Sequence, residues 1–298
     1  MIGGHNLIKE RIGQIDYAVG QGKSLESFLS ALSKDLTETT QVQLIEIQQY
    51  LHDLFRAICG GYFKPEFKNT SPYYSFLREL KKTYNSASIV TFNYDLFLDE
   101  AMEEIFKYKY LDIKSYYNKD YELYKVHGSI NWTYLFGLTG SEDFGSSEKV
   151  AKFIIEAKKH YKSLHPHLIV KGIDYSRHHM VPALAIPLPD NKQFIVSEHK
   201  ERLITNLKQA DKVIIIGWSA SDEYFVKEIM ENLDYSKAKL IIVSPKSGQL
   251  IKERLTPKRG SELTGMTTKV WQYEPKIVSK TFSRLVNEYG ALEEIFGL

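Results

Sequence analysis

One stretch constrains the fold of this chain more than any other. Ser88–Asp95 reads Ser-Ile-Val-Thr-Phe-Asn-Tyr-Asp. An apolar, β-branched run (Ile89, Val90, Phe92) stops at Asn93-Tyr94-Asp95, and a helix-patterned stretch from Leu96 to Phe106 follows at once. That succession predicts a buried strand, a tight polar turn and a helix. In open parallel sheets, ligands bind outside the carboxyl ends of the strands, where such turns converge. Three later stretches repeat the succession: Tyr124–Val126 into His127-Gly128-Ser129, Val213–Ile216 into Gly217-Trp218-Ser219, and Leu240–Val243 into Ser244-Pro245. Four strand ends with small or polar residues suggest one shared crevice.

The remainder fits around these strands. Ahead of them, helices are expected over Ser24–Leu36, over Gln41–Ile58 with Gly60-Gly61 as the stop, and over Tyr73–Tyr84 behind a Ser71 cap and Pro72. The tyrosine-rich connector Tyr108–Tyr121 suits half-buried aromatic packing, with a recognition surface as the other reading. Thr133–Ser147 looks like a loop, Glu148–Tyr161 a helix with a basic face, and the proline-punctuated Met180–Asp190 extended chain. Helices over Glu198–Ala210, Asp222–Leu233, Gly248–Leu255 and Lys276–Tyr289 alternate with strands over Val213–Ile216, Lys239–Val243 and Lys269–Tyr273. Alternation of this kind predicts an α/β fold: a Rossmann-like, mostly parallel sheet with helices on both faces and a helical insertion. The expected domains are a core formed by residues 1–132 and 181–298, with 133–180 inserted beside it.

Composition removes several classes of function. A 298-residue chain that is 43% hydrophobic can build a full core. A net charge of +2 gives no general drive toward nucleic acid, and the basic face Lys149–Lys159 alone reads as solvated. A lone cysteine, Cys59, allows neither an internal disulfide nor a multi-cysteine zinc site, and it suits a reducing compartment. His165-Pro166-His167 and His178-His179 lack the ordered spacing with carboxylate or thiolate partners that a metal site needs. No apolar run is long enough to span a bilayer, and Met1–Gln14 has no signal-type segment. The expectation is a cytoplasmic protein with no membrane partner and no nucleic-acid partner.

The strand ends carry the chemistry. Histidine changes charge near neutral pH, so His127 at a strand end could move a proton; a hydrogen-bonded loop histidine is the plainer reading. Asn93 can donate and accept at once, which suits holding a water or a sugar hydroxyl, and Asp95 could orient it. Both residues are also good helix caps. Gly217-Trp218-Ser219 could present hydroxyls and backbone N–H groups to phosphate or ribose, or simply join a strand to a helix.

Taken in order, these segments resemble the sirtuin superfamily, and more closely its bacterial sirtuin-like branch found in antiphage defence proteins. Thr91–Asp95 looks like the family's Asn-x-Asp turn, and His127-Gly128-Ser129 like its catalytic histidine and following glycine. Pro182–Lys192 resembles the proline-containing approach to the next helix. Ile216–Ser219 and Val243-Ser244 look like its two ribose- and phosphate-contacting strand ends. The resemblance covers about Ser88–Pro245. It implies that His127, Asn93 and Asp95 are the catalytic residues and that Gly217, Ser219 and Ser244 line the adenosine and phosphate side of an NAD site.

Two departures from the family shape the expected activity. Its deacetylases carry a four-cysteine zinc module, which Cys59 alone cannot form. The expectation is therefore hydrolysis of NAD to nicotinamide and ADP-ribose, with NAD as substrate and no zinc. By the same resemblance it would be an antiviral-defence effector, as a homo-oligomer or with a defence-system partner. The family's opening strand and Gly-Ala-Gly-x-Ser loop have no counterpart in Met1–Gly22, where only Gly3-Gly4 stand. The alternative is accordingly a non-catalytic sirtuin-like binding or assembly module that has lost this phosphate-binding loop.

Overall fold

A computed structural model describes residues 13–14, 16–17, 20–22, 25–35, 37–62, 71–118, 120–138, 140, 146–160, 165–169, 178–185, 195–256 and 271–297. The chain divides into two compact units, Met1–Lys68 with Ile89–Ser197, and Asn69–Ser88 with Glu198–Leu298. The fold is mixed α/β and Rossmann-like. Among the described residues no helix is long and apolar enough to cross a membrane.

In the first unit, α1 (Leu25–Ser33) packs Leu29 and Leu32 on Ile47 of α2 (Glu38–Tyr62). Helix α2 continues through Gly60-Gly61, where the sequence predicted a stop. Two helical glycines cost about 2 kcal/mol together relative to alanine, which a long helix with a buried face absorbs. Strand β1 (Ala87–Thr91) leads through the Asn93–Asp95 turn to α4 (Phe97–Phe106), and it pairs with β2 (Tyr121–Lys125). Helix α3 (Pro72–Thr83) precedes β1 and belongs to the second unit.

Next comes β3 (Gly128–Gly137), flanked by β4 (His167–Leu168) and β5 (His178–Leu184) in an antiparallel sheet. This corrects the sequence reading of Thr133–Ser147 as loop, because Thr133–Gly137 is strand. The signal was present in the β-prone run Trp132-Thr133-Tyr134-Leu135-Phe136, whose Trp132 and Phe136 are buried. The Gly and Ser residues farther on mask it in the sequence. Helix α5 (Ser147–His160) closes this core, with Ala151 and Ile154 against Phe136, Val181, Val42 and Ile45. The expected extended chain from Met180 holds as far as Leu184, while 186–194 lie outside the described residues.

In the second unit, α3 (Pro72–Thr83) begins as its sequence predicts: Ser71 caps it, its side chain accepting from Tyr73 N–H, with Pro72 in the first turn. Helix α6 (Ser197–Gln209) leads to β6 (Lys212–Ile216), α7 (Glu223–Asn232), β7 (Lys239–Val243) and α8 (Gly248–Arg254). Strands β6, β7 and β8 (Lys276–Val278) form a parallel sheet in that order, with Ile216 opposite Val243 and Val243 opposite Val278.

The position of β8 is a second correction. The expected strand Lys269–Tyr273 falls partly outside the described residues, and Trp271–Tyr273 is not strand. Ile277-Val278, read from sequence as the start of a closing helix, is β-branched and supplies the third strand. The helix becomes two, α9 (Phe282–Asn287) and α10 (Ala291–Phe296), separated at Gly290, whose φ of 77° is left-handed. The Lys212 ammonium donates to Tyr84 Oη at 2.6 Å and to the Phe296 carbonyl at 2.7 Å, which ties α3 and α10 to the edge of β6.

Candidate functional site

The Asn93–Asp95 turn is built by its own side chains. Asn93 N–H donates to Thr91 Oγ1 at 3.1 Å, and Phe97 N–H donates to Asp95 Oδ1 at 3.1 Å. Asp95 therefore satisfies an orphan donor of α4 from the position before the cap residue Leu96, which has no capping side chain of its own. Tyr94 points inward: it packs with Cys59, Ile130 and Leu184, and its hydroxyl donates to the Ala185 carbonyl at 2.5 Å. Asn93, next to it, is exposed. Alternating burial anchors the turn by Tyr94 and leaves Asn93 accessible.

His127 sits in the turn between β2 and β3 and is half-buried. Its ring lies edge-on to Phe92, with centroids 5.1 Å apart, and 6.5 Å from the Tyr94 ring. Ala185 N–H donates to the His127 carbonyl at 2.8 Å. The two turns are stitched together by backbone: Val126 N–H donates to Thr91 O at 3.1 Å, and Ile130 N–H to Tyr94 O at 3.0 Å. His127 and the Asn93–Asp95 turn, 32 residues apart in sequence from Asp95 to His127, thus belong to one locally braced structure. Gly128 has a φ of 83°, and a Cβ built there would stand 1.9 Å from the Ala183 carbonyl oxygen. The close approach expected of this glycine is made by the protein backbone.

Beneath the turn lies a buried charge network that sequence reasoning did not find. Lys125, the last residue of β2, has no exposed surface. Its ammonium donates to the Asp95 carbonyl at 2.5 Å and to Asp99 Oδ2 at 2.7 Å. Asp99 Oδ1 accepts from the buried Tyr116 hydroxyl at 2.7 Å, and Trp132 Nε1–H donates to that same hydroxyl at 3.3 Å. Tyr110 stacks on Tyr116 at 4.0 Å, so the connector's tyrosines serve as packing. The available signal was a lysine inside the apolar and aromatic run Tyr121–Val126, together with an aspartate one helical turn beyond Asp95.

Burial pushes the Asp95 carboxyl above its ordinary range, against the opposing pull of the Phe97 hydrogen bond and the Lys125 charge. Burial likewise raises the Cys59 thiol, consistent with an inert core residue. Among the described residues no three His, Cys, Asp or Glu side chains gather as a metal site.

The residues expected to contact the adenosine side lie in the second unit. Gly217 has a φ of 67°, and its N–H donates to the Val243 carbonyl at 3.1 Å. Gly217 and Ser244 line one cavity of 400 Å³ at the carboxyl ends of β6 and β7, with Lys246, Ser247, Lys280 and Thr281 also at its wall. That volume lies in the small-molecule range. Ser219 is not part of this wall; its hydroxyl donates to Ser221 Oγ at 3.0 Å. The lysines at 246 and 280 were not anticipated from sequence.

A comparison with protein-family models matches residues 87–263, more than half of the chain, to a family described as SIR2-like domain. No curated protein matches the chain.

Proposed function

The chain belongs to the SIR2-like domain family, and from that premise we propose that it hydrolyses NAD to nicotinamide and ADP-ribose. Family membership implies an NAD-related function; the reaction type is our reading. The observation that carries it is the backbone stitching of the Asn93–Asp95 turn to the His127 turn within the matched segment. A proton-transfer group, an orienting amide and a carboxylate are thereby held on one braced structure.

In the proposed reaction the bond between the nicotinamide nitrogen and ribose C1′ breaks, and its electron pair returns the pyridinium nitrogen to neutrality. The sugar acquires oxocarbenium character, as in glycoside cleavage. Water adds to C1′ and loses one proton to solvent. Asn93, exposed and able to donate and accept, orients the water or the ribose. His127 acts as base toward a ribose hydroxyl. Asp95 supports the nicotinamide end and holds the turn in place. Gly217, Ser219 and Ser244 bind the ADP-ribose portion; the cavity shared by Gly217 and Ser244 supports two of these three. The resemblance to antiphage proteins supports a role as a defence effector, acting as a homo-oligomer or with a defence-system partner in the cytoplasm.

The test is nicotinamide release by the purified chain and by Asn93→Ala, with ADP-ribose binding measured in parallel. The expected result is turnover reduced roughly 100-fold with binding retained. ADP-ribose binding by a chain that releases no nicotinamide would instead support the non-catalytic module.

A further inference from the structure

We propose that the cavity of the second unit selects an adenosine ribose carrying a phosphomonoester, so that the preferred dinucleotide is the 2′-phosphorylated form of NAD. The inference rests on the NAD reading above and adds substrate class to it.

The argument is one of charge. Dinucleotide sites that take an unphosphorylated ribose place an Asp or Glu carboxylate on its 2′-hydroxyl, whereas sites for the 2′-phosphate place a cation there. A carboxylate at that point repels a phosphate dianion, so the two designs exclude each other's ligand. The described wall of this cavity contains no carboxylate. Its lining residues include two lysines, Lys246 and Lys280, and the hydroxyl-bearing Ser244, Ser247 and Thr281.

The two lysines are not equivalent. Lys280 is engaged by Glu288 at 2.8 Å and by Glu294 at 3.9 Å, which offsets its charge and fixes its position. Lys246 is exposed and has no ion pair among the described residues. Its charge is therefore available to an anion bound beside this lining residue. Two of the hydroxyl oxygens accept from backbone. Ser244 Oγ accepts from Ser247 N–H at 3.0 Å, and Thr281 Oγ1 accepts from Arg284 N–H at 3.3 Å. Each oxygen thus accepts one backbone hydrogen bond and keeps its own proton to donate. A phosphomonoester, with three acceptor oxygens and close to two negative charges, matches a lining that offers a lysine outside any described ion pair and hydroxyls able to donate.

The experiment is equilibrium binding to the full chain of ADP-ribose and of 2′-phospho-ADP-ribose by calorimetry, with hydrolysis of NAD and its 2′-phosphate compared in parallel. The phosphorylated ligand is expected to bind about tenfold more tightly, with the ratio falling as ionic strength rises. Lys246→Ala should abolish the ratio and Lys246→Arg should preserve it. Equal or weaker binding of the phosphorylated ligand overturns the proposal and leaves NAD hydrolysis standing. A preference that survives Lys246→Ala overturns the assignment to this cavity. Binding of neither ligand, with no nicotinamide release, overturns this inference and the NAD reading together.

Discussion

At the residue scale, Asp95 and Gly128 show how the candidate site is held. Gly128 sits at a φ of 83° with the Ala183 carbonyl where a side chain would begin. Gly128→Ala should cost at least about 2 kcal/mol, from combined backbone strain and overlap, read as a fall in the urea midpoint. Asp95 gives a pH-dependent signature. Its pKa is raised in the folded state, so between pH 3.8 and that raised value the folded chain holds the extra proton. Its contribution is then favourable at low pH and is lost as pH rises through the folded value. Asp95→Asn keeps an oxygen for Phe97 N–H and removes the charge. The stability of the wild type relative to this variant should fall with rising pH through that window, while nicotinamide release by the variant drops. A difference that stays flat with pH would contradict the burial argument.

At the scale of elements, β2 and α4 are joined by a fully buried ion pair, Lys125 with Asp99, that also grips the Asp95 carbonyl. Removing one partner leaves the other charge buried alone. Lys125→Met should therefore cost roughly 3–5 kcal/mol, and the Lys125→Met, Asp99→Leu pair should recover much of it. If the double variant recovers stability but not turnover, the network's contribution lies in positioning the turn. The extent to which this was legible from sequence follows the range of the interactions. Strand–turn–helix grammar is local, so β1, α4, β6, α7 and β7 and the polar ends of the strands could be read from the chain. The cap at Ser71 was equally local. The antiparallel β3–β5 sheet and β8 depend on distant pairing partners, which the surrounding glycines, serines and lysines concealed. The Lys125–Asp99 pair is likewise set by tertiary packing, and a lysine reads as solvent-facing until its partner is placed.

At the scale of the whole molecule, stability should respond to acid through His199. This residue is fully buried on α6, and burial brings its pKa down from 6.5 to about 3. The folded chain keeps the imidazole neutral while the unfolded chain takes up a proton. Its contribution is complete above pH 6.5 and is lost as pH falls toward 3, by up to about 1.4 kcal/mol per pH unit. A neutral replacement, His199→Gln, should flatten that part of the curve; an unchanged slope would contradict the assignment. The central claim concerns activity, and it rests on His127 sharing one braced structure with Asn93 and Asp95. The most direct measurement is the rate of nicotinamide release from NAD by the wild type and by His127→Ala, with circular dichroism establishing that both are folded. The account predicts nicotinamide and ADP-ribose in equal amounts from the wild type and a loss of roughly 100-fold or more in the variant. Release that is undiminished in folded His127→Ala, or absent from the wild type, would contradict it.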